Sequence, residues 1–205
     1  MLRPSDGKEP DSIAFIQCAG SRDKSMGIEY CSRICCMYSI KQAMLLSGAL
    51  PLADLTIYNM DIRAFGKGYE QFYQNAMAMG IEFVRAKVAY LTQGENDKVI
   101  VHFEDQTTGE KSEREHDLVV LALGVVPELN DVQGFEGLSC GYDSFIHTLN
   151  PNIDPTILGT EGIYGAGCCI GPKDIVDTIS EAGNAAMQAS IFLQKKKRMK
   201  IGANL

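Results

Sequence analysis

The distribution of apolar and polar residues along this chain follows two patterns, one typical of strands and one typical of helices. Together these patterns predict a series of strands and helices. Short apolar runs bounded by turn residues indicate strands, and apolar residues three and four positions apart indicate helices. The predicted strands span residues 11–20, 54–62, 81–93, 98–105, 117–127 and 162–167. The predicted helices span residues 31–48 and 66–80, and a long final helix begins at about Ile175. In the first helix the residues at helical spacing are Ile34, Met37, Tyr38, Lys41, Met44 and Leu45.

The order of these elements predicts the class of fold. Helices that alternate with strands are typical of an α/β layered fold with a mainly parallel sheet. Ligands of such sheets bind at the carboxyl ends of the strands. Residues 130–160 are rich in loop signals, and the sequence contains neither an internal repeat nor a low-complexity linker.

Composition and charge narrow the range of functions. The chain has 205 residues, is 45% hydrophobic and carries a formal net charge of −7 at pH 7. An acidic chain without a broad basic patch is a poor nucleic-acid binder, so we expect no nucleic-acid partner. The basic run at residues 195–200 is interpreted as a solvated helix end that complements the helix dipole, in preference to a binding patch.

The sequence shows no sign of export or membrane insertion. Residues 1–12 are polar and contain two prolines, unlike a signal peptide. No apolar run approaches the roughly 20 residues that a membrane-spanning helix needs. We therefore expect a cytoplasmic protein without a membrane span. Thiols stay reduced in the cytoplasm, so clustered cysteines indicate metal or redox chemistry more than structural disulfides.

Four of the seven cysteines lie in one stretch of nineteen residues, CAGSRDKSMGIEYCSRICC. Their spacing is C-x12-C-x3-C-C, which is unlike zinc-finger spacings. The predicted elements place Cys18 at the carboxyl end of the first strand and Cys31, Cys35 and Cys36 at the start of the following helix. In a dinucleotide-binding fold this crossover carries G-x-G-x-x-G and holds a pyrophosphate. That motif is missing here, so we interpret the cysteines as occupying the position at which such a fold binds a nucleotide.

The cysteine group has three interpretations. A [4Fe-4S] cluster needs four converging thiolates. On a helix Cys31 and Cys35 share a face, whereas Cys36 is rotated by about 100° and would need a distorted helix start. Zinc also accepts four thiolates, and small buried hydrophobic side chains are the third interpretation. We favour a metal over buried thiols and iron–sulfur over zinc, and the alternatives stay open at this point.

A second candidate site lies in the segment EGIYGAGCCIGPKDI, residues 161–175. Gly165 and Gly167 let a ligand approach the backbone closely. The helix N-terminus near Lys173 and Asp174 offers free N–H groups and a positive dipole end, which suit the negative charge of a reduced flavin. The alternative is a plain strand-to-helix connection in which Asp174 caps the helix.

Three further cysteines lie outside the first group. Cys168 and Cys169 are adjacent and could form a redox or sulfur-handling site, but we favour core thiols in a tight turn. Cys140 stands alone, and we assign no role to it.

Four segments resemble the A subunit of heterodisulfide reductases and its relatives, which are flavoproteins of methanogens and some anaerobic bacteria. The segments are LRPSDGKEPDSIAFIQCAGSRD, EYCSRICCMYSIKQAM, IYNMDIRAFGKGYEQFY and IYGAGCCIGPKDIVDTISEA. The resemblance runs almost from end to end, and the four-cysteine spacing is quite specific. It implies an α/β, thioredoxin-reductase-like fold, with a Rossmann-type βαβ domain over residues 11–125 and the C-terminal part of an FAD-binding domain over residues 126–205.

The resemblance also implies cofactors and residue roles. Cys18, Cys31, Cys35 and Cys36 would ligate one [4Fe-4S] cluster. Lys41 matches a lysine that approaches flavin N5, which would make it a catalytic and cofactor-binding residue. The flavin contacts expected in the second site are Gly165, Gly167, Cys168, Lys173, Asp174 and Ile175.

The missing glycine-rich loop implies that FAD is shared with a partner chain, which would supply the N-terminal FAD-binding half. We therefore interpret this chain as the C-terminal half of a split subunit or as a fragment. The resemblance implies other heterodisulfide-reductase-like iron–sulfur subunits as partners, with a dimeric assembly as one arrangement. In such complexes the flavin divides electron pairs between heterodisulfide reduction and ferredoxin reduction.

Two other functions compete with electron transfer. A pyridine-nucleotide disulfide oxidoreductase would use Cys168 and Cys169 as its dithiol, but its nucleotide loop is missing here. A zinc- or cluster-stabilised scaffold would dock partner subunits without catalysis, and the identity of the metal separates it from an electron carrier.

Overall fold

The computed structural model describes residues 1–128 and 137–202, with side chains described up to residue 199. Part of the predicted loop region, residues 129–136, lies outside the described residues. Within the described ranges, no helix combines the length and the apolar character that crossing a membrane requires.

The chain divides into two compact units. The first unit holds residues 1–26 and 34–124. The second unit holds residues 27–33 and the described residues from Val125 onward. The short segment 27–33 therefore groups with the second unit although it lies within the first predicted domain. The domain limits given by the resemblance stay a prediction.

The first unit contains one six-stranded sheet. Its strands are β1 Ser12–Ala19, β2 Asp54–Asn59, β3 Glu82–Gln93, β4 Val99–Asp105, β5 Lys111–His116 and β6 Leu118–Leu123. Their order across the sheet is β5-β4-β3-β2-β1-β6. β1 pairs in parallel with β2 and β6, and β2 pairs in parallel with β3. β3, β4 and β5 continue as an antiparallel ribbon. Three of the five strand pairings are parallel, so the predicted α/β class with a mainly parallel sheet is confirmed.

Two helices pack on this sheet and bury its central strands. They are α1 Cys35–Ala49 and α2 Tyr69–Ala78. Ile13 and Phe15 of β1 join a core cluster with Ile40 of α1, whereas Ala14 and Ile16 join a second cluster. Because neighbouring side chains of a strand point to opposite faces, β1 is buried on both faces. Burial on both faces explains why this strand reads as an unbroken apolar run.

The start and the orientation of α1 differ from the prediction. The helix begins at Cys35, four residues later than predicted, so Cys31 is not helical. Arg33 has a φ of 63°, in the left-handed region that interrupts a helix. The buried residues of α1 are Cys35, Cys36, Ser39, Ile40 and Ala43. The predicted apolar face was therefore rotated, and Leu45 is 64% exposed.

The second unit is smaller and contains a hairpin and one long helix. The hairpin strands are β7 Thr148–Asn150 and β8 Asp154–Leu158, and the helix is α3 Ile175–Gly202. The predicted strand at 162–167 is not a strand, since only Tyr164 bridges to Ile157 of β8. The residues that follow, Gly167–Cys169, form a 3₁₀ turn.

A buried ion pair holds the segment 167–173, which contains this turn, against α3. The Lys173 side chain is 7% exposed, and its Nζ lies 2.6 Å from both carboxylate oxygens of Glu181. Glu181 Oε2 also accepts the backbone N–H of Gly167, at 2.9 Å. One carboxylate therefore connects α3 to both ends of the segment.

A second buried polar group lies in the first unit. His116 is 2% exposed, and its ring nitrogens lie 2.8 Å from Ser12 Oγ and 2.9 Å from Tyr58 Oη. Burial lowers the pKa of His116 to about 4, and the positive charge of Arg114 adds to this effect. The imidazole is therefore neutral at pH 7.

Replacing Glu181 by alanine is expected to destabilise the second unit by about 3 kcal/mol, because it leaves the Lys173 ammonium buried without a counter-charge. The matched control is Glu161→Ala, since the Glu161 side chain is 74% exposed and lies 3.8 Å from Lys196. Removing such a surface ion pair should change the free energy of unfolding by less than about 1 kcal/mol. Urea unfolding followed by circular dichroism measures both variants. Equal effects of the two substitutions would contradict a stabilising role for the buried pair.

Lowering the pH from 7 to 5 is expected to cost the first unit about 2 kcal/mol of unfolding free energy through His116. The folded-state pKa of about 4 lies below the unfolded value of 6.5. Between these two pH values His116 is protonated in the unfolded chain but not in the folded chain. The unfolding free energy is therefore unaffected by His116 above the unfolded pKa, and it decreases as the pH falls from 6.5 toward 4. Unfolding curves at both pH values test this, and His116→Gln should flatten the dependence. An equally steep loss in that variant would refute the assignment.

Candidate metal centre and flavin site

Cys18 lies in the irregular carboxyl end of β1, one residue before the strand ends. Its φ is 59°, in the left-handed region, and the register between β1 and β6 shifts between Ile16 and Ala19. A non-glycine residue in this region costs about 1 kcal/mol or more, and such residues cluster at functional sites. The irregular strand end therefore places a half-buried thiol at the carboxyl edge of the parallel sheet, where α/β folds bind ligands.

Polar and charged side chains surround Cys18. Arg22 Nη1 donates a hydrogen bond to Asp61 Oδ1 and lies 4.0 Å from Cys18 Sγ. A neighbouring guanidinium favours the thiolate form of a cysteine, which is the form that binds metals. The Arg22–Asp61 pair was not predicted from the sequence, since Asp61 is distant in the chain.

A small cavity of about 50 Å³ adjoins Cys18, and Gln17 and Arg22 also line it. Gln17 is 7% exposed, and both polar atoms of its side-chain amide lack hydrogen-bond partners among the described residues. Buried amides are nearly always hydrogen-bonded, so water or a bound group is needed to complete this environment. The cavity has room for a few water molecules and is far too small for a flavin.

Cys35 and Cys36 open the first turn of α1. Both are buried, at 5% and 6% exposure. Cys35 Sγ lies 3.8 Å from the carbonyl oxygen of Leu123, and Cys36 Sγ lies 3.9 Å from that of Asp61. The first turn contains no acidic residue, and Ile34 at the N-cap supplies no side-chain acceptor. The positive end of the helix dipole therefore favours negative charge on these sulfurs.

The tyrosine one turn along α1 reports on this environment. Tyr38 Oη donates a hydrogen bond of 2.9 Å to the carbonyl oxygen of Leu123. Burial raises the pKa of Tyr38 to about 12, and negative charge on Cys35 and Cys36 adds to the effect. Tyr38 therefore stays a neutral hydrogen-bond donor beside the two thiols.

Cys31 belongs to the segment that groups with the second unit. Its sulfur accepts the backbone N–H of Arg33 at 3.3 Å. Neighbours on both sides hold the segment: Tyr30 Oη donates to the carbonyl oxygen of Val125 at 3.0 Å, and Ser32 Oγ accepts the N–H of Val125 at 2.8 Å. Arg33 also pairs with Asp177 of α3 at 2.6 Å. This placement corrects the expectation that Cys31 shares a helical face with Cys35.

The four thiols are chemically suited to an iron–sulfur cluster, but the described side chains do not form a closed metal cage. Among the described residues, no three His, Cys, Asp or Glu side chains make a group that could hold a metal ion. The ligand set of Cys18, Cys31, Cys35 and Cys36 therefore stays a prediction.

The residues predicted to contact flavin occupy varied environments. Lys41 is exposed on α1, outside the core cluster that contains Ile40. Lys173 is paired with Glu181, and Asp174 Oδ1 accepts the N–H of Asp177 at 2.8 Å. Asp174 therefore caps α3, as the simpler interpretation of this segment predicts. Ile175 is 78% exposed.

Local packing already explains both glycines of the turn. A Cβ on Gly165 would lie 2.8 Å from Ile170, and one on Gly167 would lie 3.1 Å from Thr178. Gly167 also has a φ of +76°, which favours glycine. These positions need glycine whether or not a ligand approaches.

Cys168 and Cys169 are more accessible than predicted. Cys168 and Cys169 are exposed, so their interpretation as core thiols is wrong. Their sulfurs lie 3.8 Å from the carbonyl oxygen of Lys173 and 3.2 Å from that of Ala166. Cys140 is also exposed.

Comparison with solved structures identifies the fold. The thioredoxin reductase of Lactococcus lactis matches with a TM-score of 0.59 and 18% identity, over 91% of this chain and 54% of that chain. The thioredoxin reductase of T. acidophilum matches with a TM-score of 0.53 and 18% identity, over 91% of this chain and 52% of that chain. The predicted thioredoxin-reductase-like fold is therefore confirmed, and the chain contains about half of it.

Comparison with curated sequences finds much closer relatives, although no family model matches. The A subunit of the H(2):CoB-CoM heterodisulfide,ferredoxin reductase of Methanothermobacter marburgensis is 41% identical over 95% of this chain. The second iron-sulfur A subunit of the CoB–CoM heterodisulfide reductase of Methanopyrus kandleri is 42% identical over 94% of it. The chain spans about 30% of the length of each of these relatives. It therefore belongs to the A-subunit family of heterodisulfide reductases.

Proposed function

We propose that this chain is an electron-transfer part of a heterodisulfide-reductase-like oxidoreductase. It would pass electrons between FAD and a [4Fe-4S] cluster and would be active only together with partner chains or further parts of its own polypeptide. Flavin-based electron bifurcation enters this proposal only at the level of the whole assembly, because dividing an electron pair needs two acceptors. We also propose a cytoplasmic setting, in which the cysteines stay reduced.

The observation that carries the proposal is the position of the cysteines in a fold that lacks a nucleotide loop. Cys18 lies at the carboxyl end of β1, and Cys35 and Cys36 lie in the first turn of α1. This is the crossover where a dinucleotide-binding fold holds its pyrophosphate. The sequence identity with relatives named as iron–sulfur subunits supports the same interpretation.

The residues of this chain would prepare the thiols for metal binding. Arg22, near Cys18, and the N-terminal end of α1, at Cys35 and Cys36, both supply positive charge, which would offset part of the cost of placing thiolates at these positions. Burial of Cys35 and Cys36 would exclude water from their sulfurs and influence the reduction potential. An iron–sulfur cluster, when bound, supplies one-electron storage.

The flavin part of the proposal involves both units, each taken by itself. In the first unit Lys41 is exposed and would present its ammonium to flavin N5. In the second unit the expected contacts are the turn and the start of α3, namely Gly165, Gly167, Cys168, Lys173, Asp174 and Ile175. We propose that Lys173 acts through its ion pair with Glu181 by holding the turn in shape.

Anaerobic preparation of the chain with reconstituted iron and sulfide is expected to give a brown protein with about four irons per chain. Cys35→Ser should lower the iron content sharply, because a buried hydroxyl is a poor replacement for a thiolate ligand. Cys140→Ser is the matched control and should retain the iron. Metal analysis and electron paramagnetic resonance measure the outcome.

A colourless protein that contains zinc would contradict the electron-carrier proposal and favour the alternative, a zinc-stabilised scaffold that docks partner subunits. Iron retained at the wild-type level by Cys35→Ser would remove Cys35 from the ligand set.

Replacing Lys41 by alanine in the assembled complex is expected to weaken FAD binding by about tenfold, because a charge-assisted hydrogen bond contributes about 1.5 kcal/mol or more. The loss should be larger for the reduced, anionic flavin than for the oxidised flavin. Flavin titration and redox titration measure the two affinities. Lys67→Ala, at another exposed lysine, is the control. Wild-type affinity and wild-type semiquinone stability in the Lys41 variant would refute the assignment to N5.

A further inference from the structure

Two buried side chains of the first unit carry polar groups that have no hydrogen-bond partner. Gln17 is 7% exposed, and Ser39 is 0% exposed. Among the described residues, neither Nε2 nor Oε1 of Gln17 forms a hydrogen bond, and neither does Oγ of Ser39. In the same part of the chain, Nε of Arg3 is the one other buried side-chain atom in this condition. Because unpaired buried polar groups are costly and rare in folded proteins, each of them needs an explanation.

Both side chains belong to the two elements that carry candidate metal ligands. Gln17 directly precedes Cys18 at the carboxyl end of β1. Ser39 lies on α1, four residues after Cys35 and three residues after Cys36. Residues at these intervals are neighbours on a helix surface, so the hydroxyl of Ser39 lies one turn along from both thiols. The unpaired groups are therefore concentrated around three of the four candidate cysteines.

The other polar side chains described around these cysteines already have partners. Arg22 pairs with Asp61, and Tyr38 Oη donates to the carbonyl oxygen of Leu123 at 2.9 Å. A serine inside a helix can bond to the carbonyl oxygen four residues earlier, but Ser39 does not use this route. Local structure therefore leaves the O–H donor of Ser39 and the N–H donors of Gln17 unused.

The chemistry of these donors suits the sulfur atoms of an iron–sulfur cluster. An amide N–H and a hydroxyl O–H can each donate to a thiolate or to an inorganic sulfide. Both groups are neutral, so their burial adds no charge to the site. Hydrogen bonds to sulfur stabilise the reduced cluster, which carries more negative charge, more than the oxidised cluster. They therefore raise the reduction potential.

We propose that Gln17 and Ser39 donate hydrogen bonds to the sulfur atoms of the metal centre and thereby raise its reduction potential. The inference rests on the proposed function, in which Cys18, Cys35 and Cys36 hold a cluster, and it assigns two positioning residues to that cluster. The amide oxygen of Gln17 would accept from water in the small cavity that Gln17 and Cys18 line.

A redox titration followed by electron paramagnetic resonance tests this proposal on the full chain reconstituted with iron and sulfide. Gln17→Met and Ser39→Ala remove the donors but no thiolate, so both variants should retain about four irons per chain. Each substitution should shift the equilibrium between oxidised and reduced cluster about tenfold toward the oxidised form. For a one-electron couple this shift lowers the potential by about 59 mV.

The matched control is Thr56→Val, which removes another buried hydroxyl of the first unit. Thr56 is 3% exposed, and its Oγ1 donates to Glu82 at 3.2 Å. It lies near the amino end of β2, whereas Gln17 lies at the carboxyl end of β1. This variant should therefore keep the wild-type potential.

Pulsed electron–nuclear double resonance provides a second measurement, which a merely structural role would not affect. Chains labelled with ¹⁵N in the glutamine side-chain amide are compared in the reduced state. The wild-type cluster should show a coupling to ¹⁵N, and Gln17→Met should lose it. In D₂O, Ser39→Ala should lose one coupling to an exchangeable deuteron.

Wild-type potentials in both variants, or a wild-type cluster without the ¹⁵N coupling, would overturn the proposal while leaving the proposed function intact. In that case water, and not the cluster, would be the partner of these side chains. Loss of iron from both variants would assign them a structural role and would also overturn it. A wild-type chain that assembles no iron–sulfur cluster would refute both this proposal and the proposed function.

Discussion

The path of the chain from β1 into α1 is the constraint on which the candidate site depends. β1 is held between two parallel neighbours and is buried on both faces, so its carboxyl end is fixed. Ile40 and Ala43 fix α1 against the same core, and the first turn of that helix carries Cys35 and Cys36. Hydrophobic burial of a few residues thus determines where three thiols are presented, although none of these residues has chemistry of its own.

The surroundings of the cysteines between β1 and α1 provide positive charge, although the chain as a whole is acidic. Arg22 near Cys18 and the N-terminal end of α1 both stabilise thiolates. The Arg22 side chain is anchored by Asp61, which follows β2 and cannot be linked to Cys18 from sequence spacing. The arrangement therefore depends on the parallel pairing of β1 with β2, which brings the residues after both strands to one edge of the sheet.

The sequence predicted the buried elements well and the irregular ones poorly. β1, β2 and β6 were predicted because a strand buried on both faces reads as an apolar run. β5, with the sequence KSEREH, was missed because this edge strand is mostly polar and exposed. The late start of α1 was missed because the segment 27–33 is held by tertiary hydrogen bonds of Tyr30 and Ser32 that no local pattern encodes. The spacing identified the candidate cysteines, whereas their surroundings required the structure.

The second unit is held by the buried ion pair of Lys173 and Glu181. Removing two charges from water costs more free energy than burying apolar side chains of similar size. Its two-stranded sheet offers little surface, and a sheet of this size is marginal by itself. Most of the larger apolar residues in the first half of α3 face outward, so they cannot stabilise the helix within the unit. Lys173, Glu181 and Asn184 instead fix the rotation of α3 through directional hydrogen bonds. We interpret this polar network as the feature that keeps the apolar side of α3 outward, because a helix held only by hydrophobic contacts would turn that side toward its own unit.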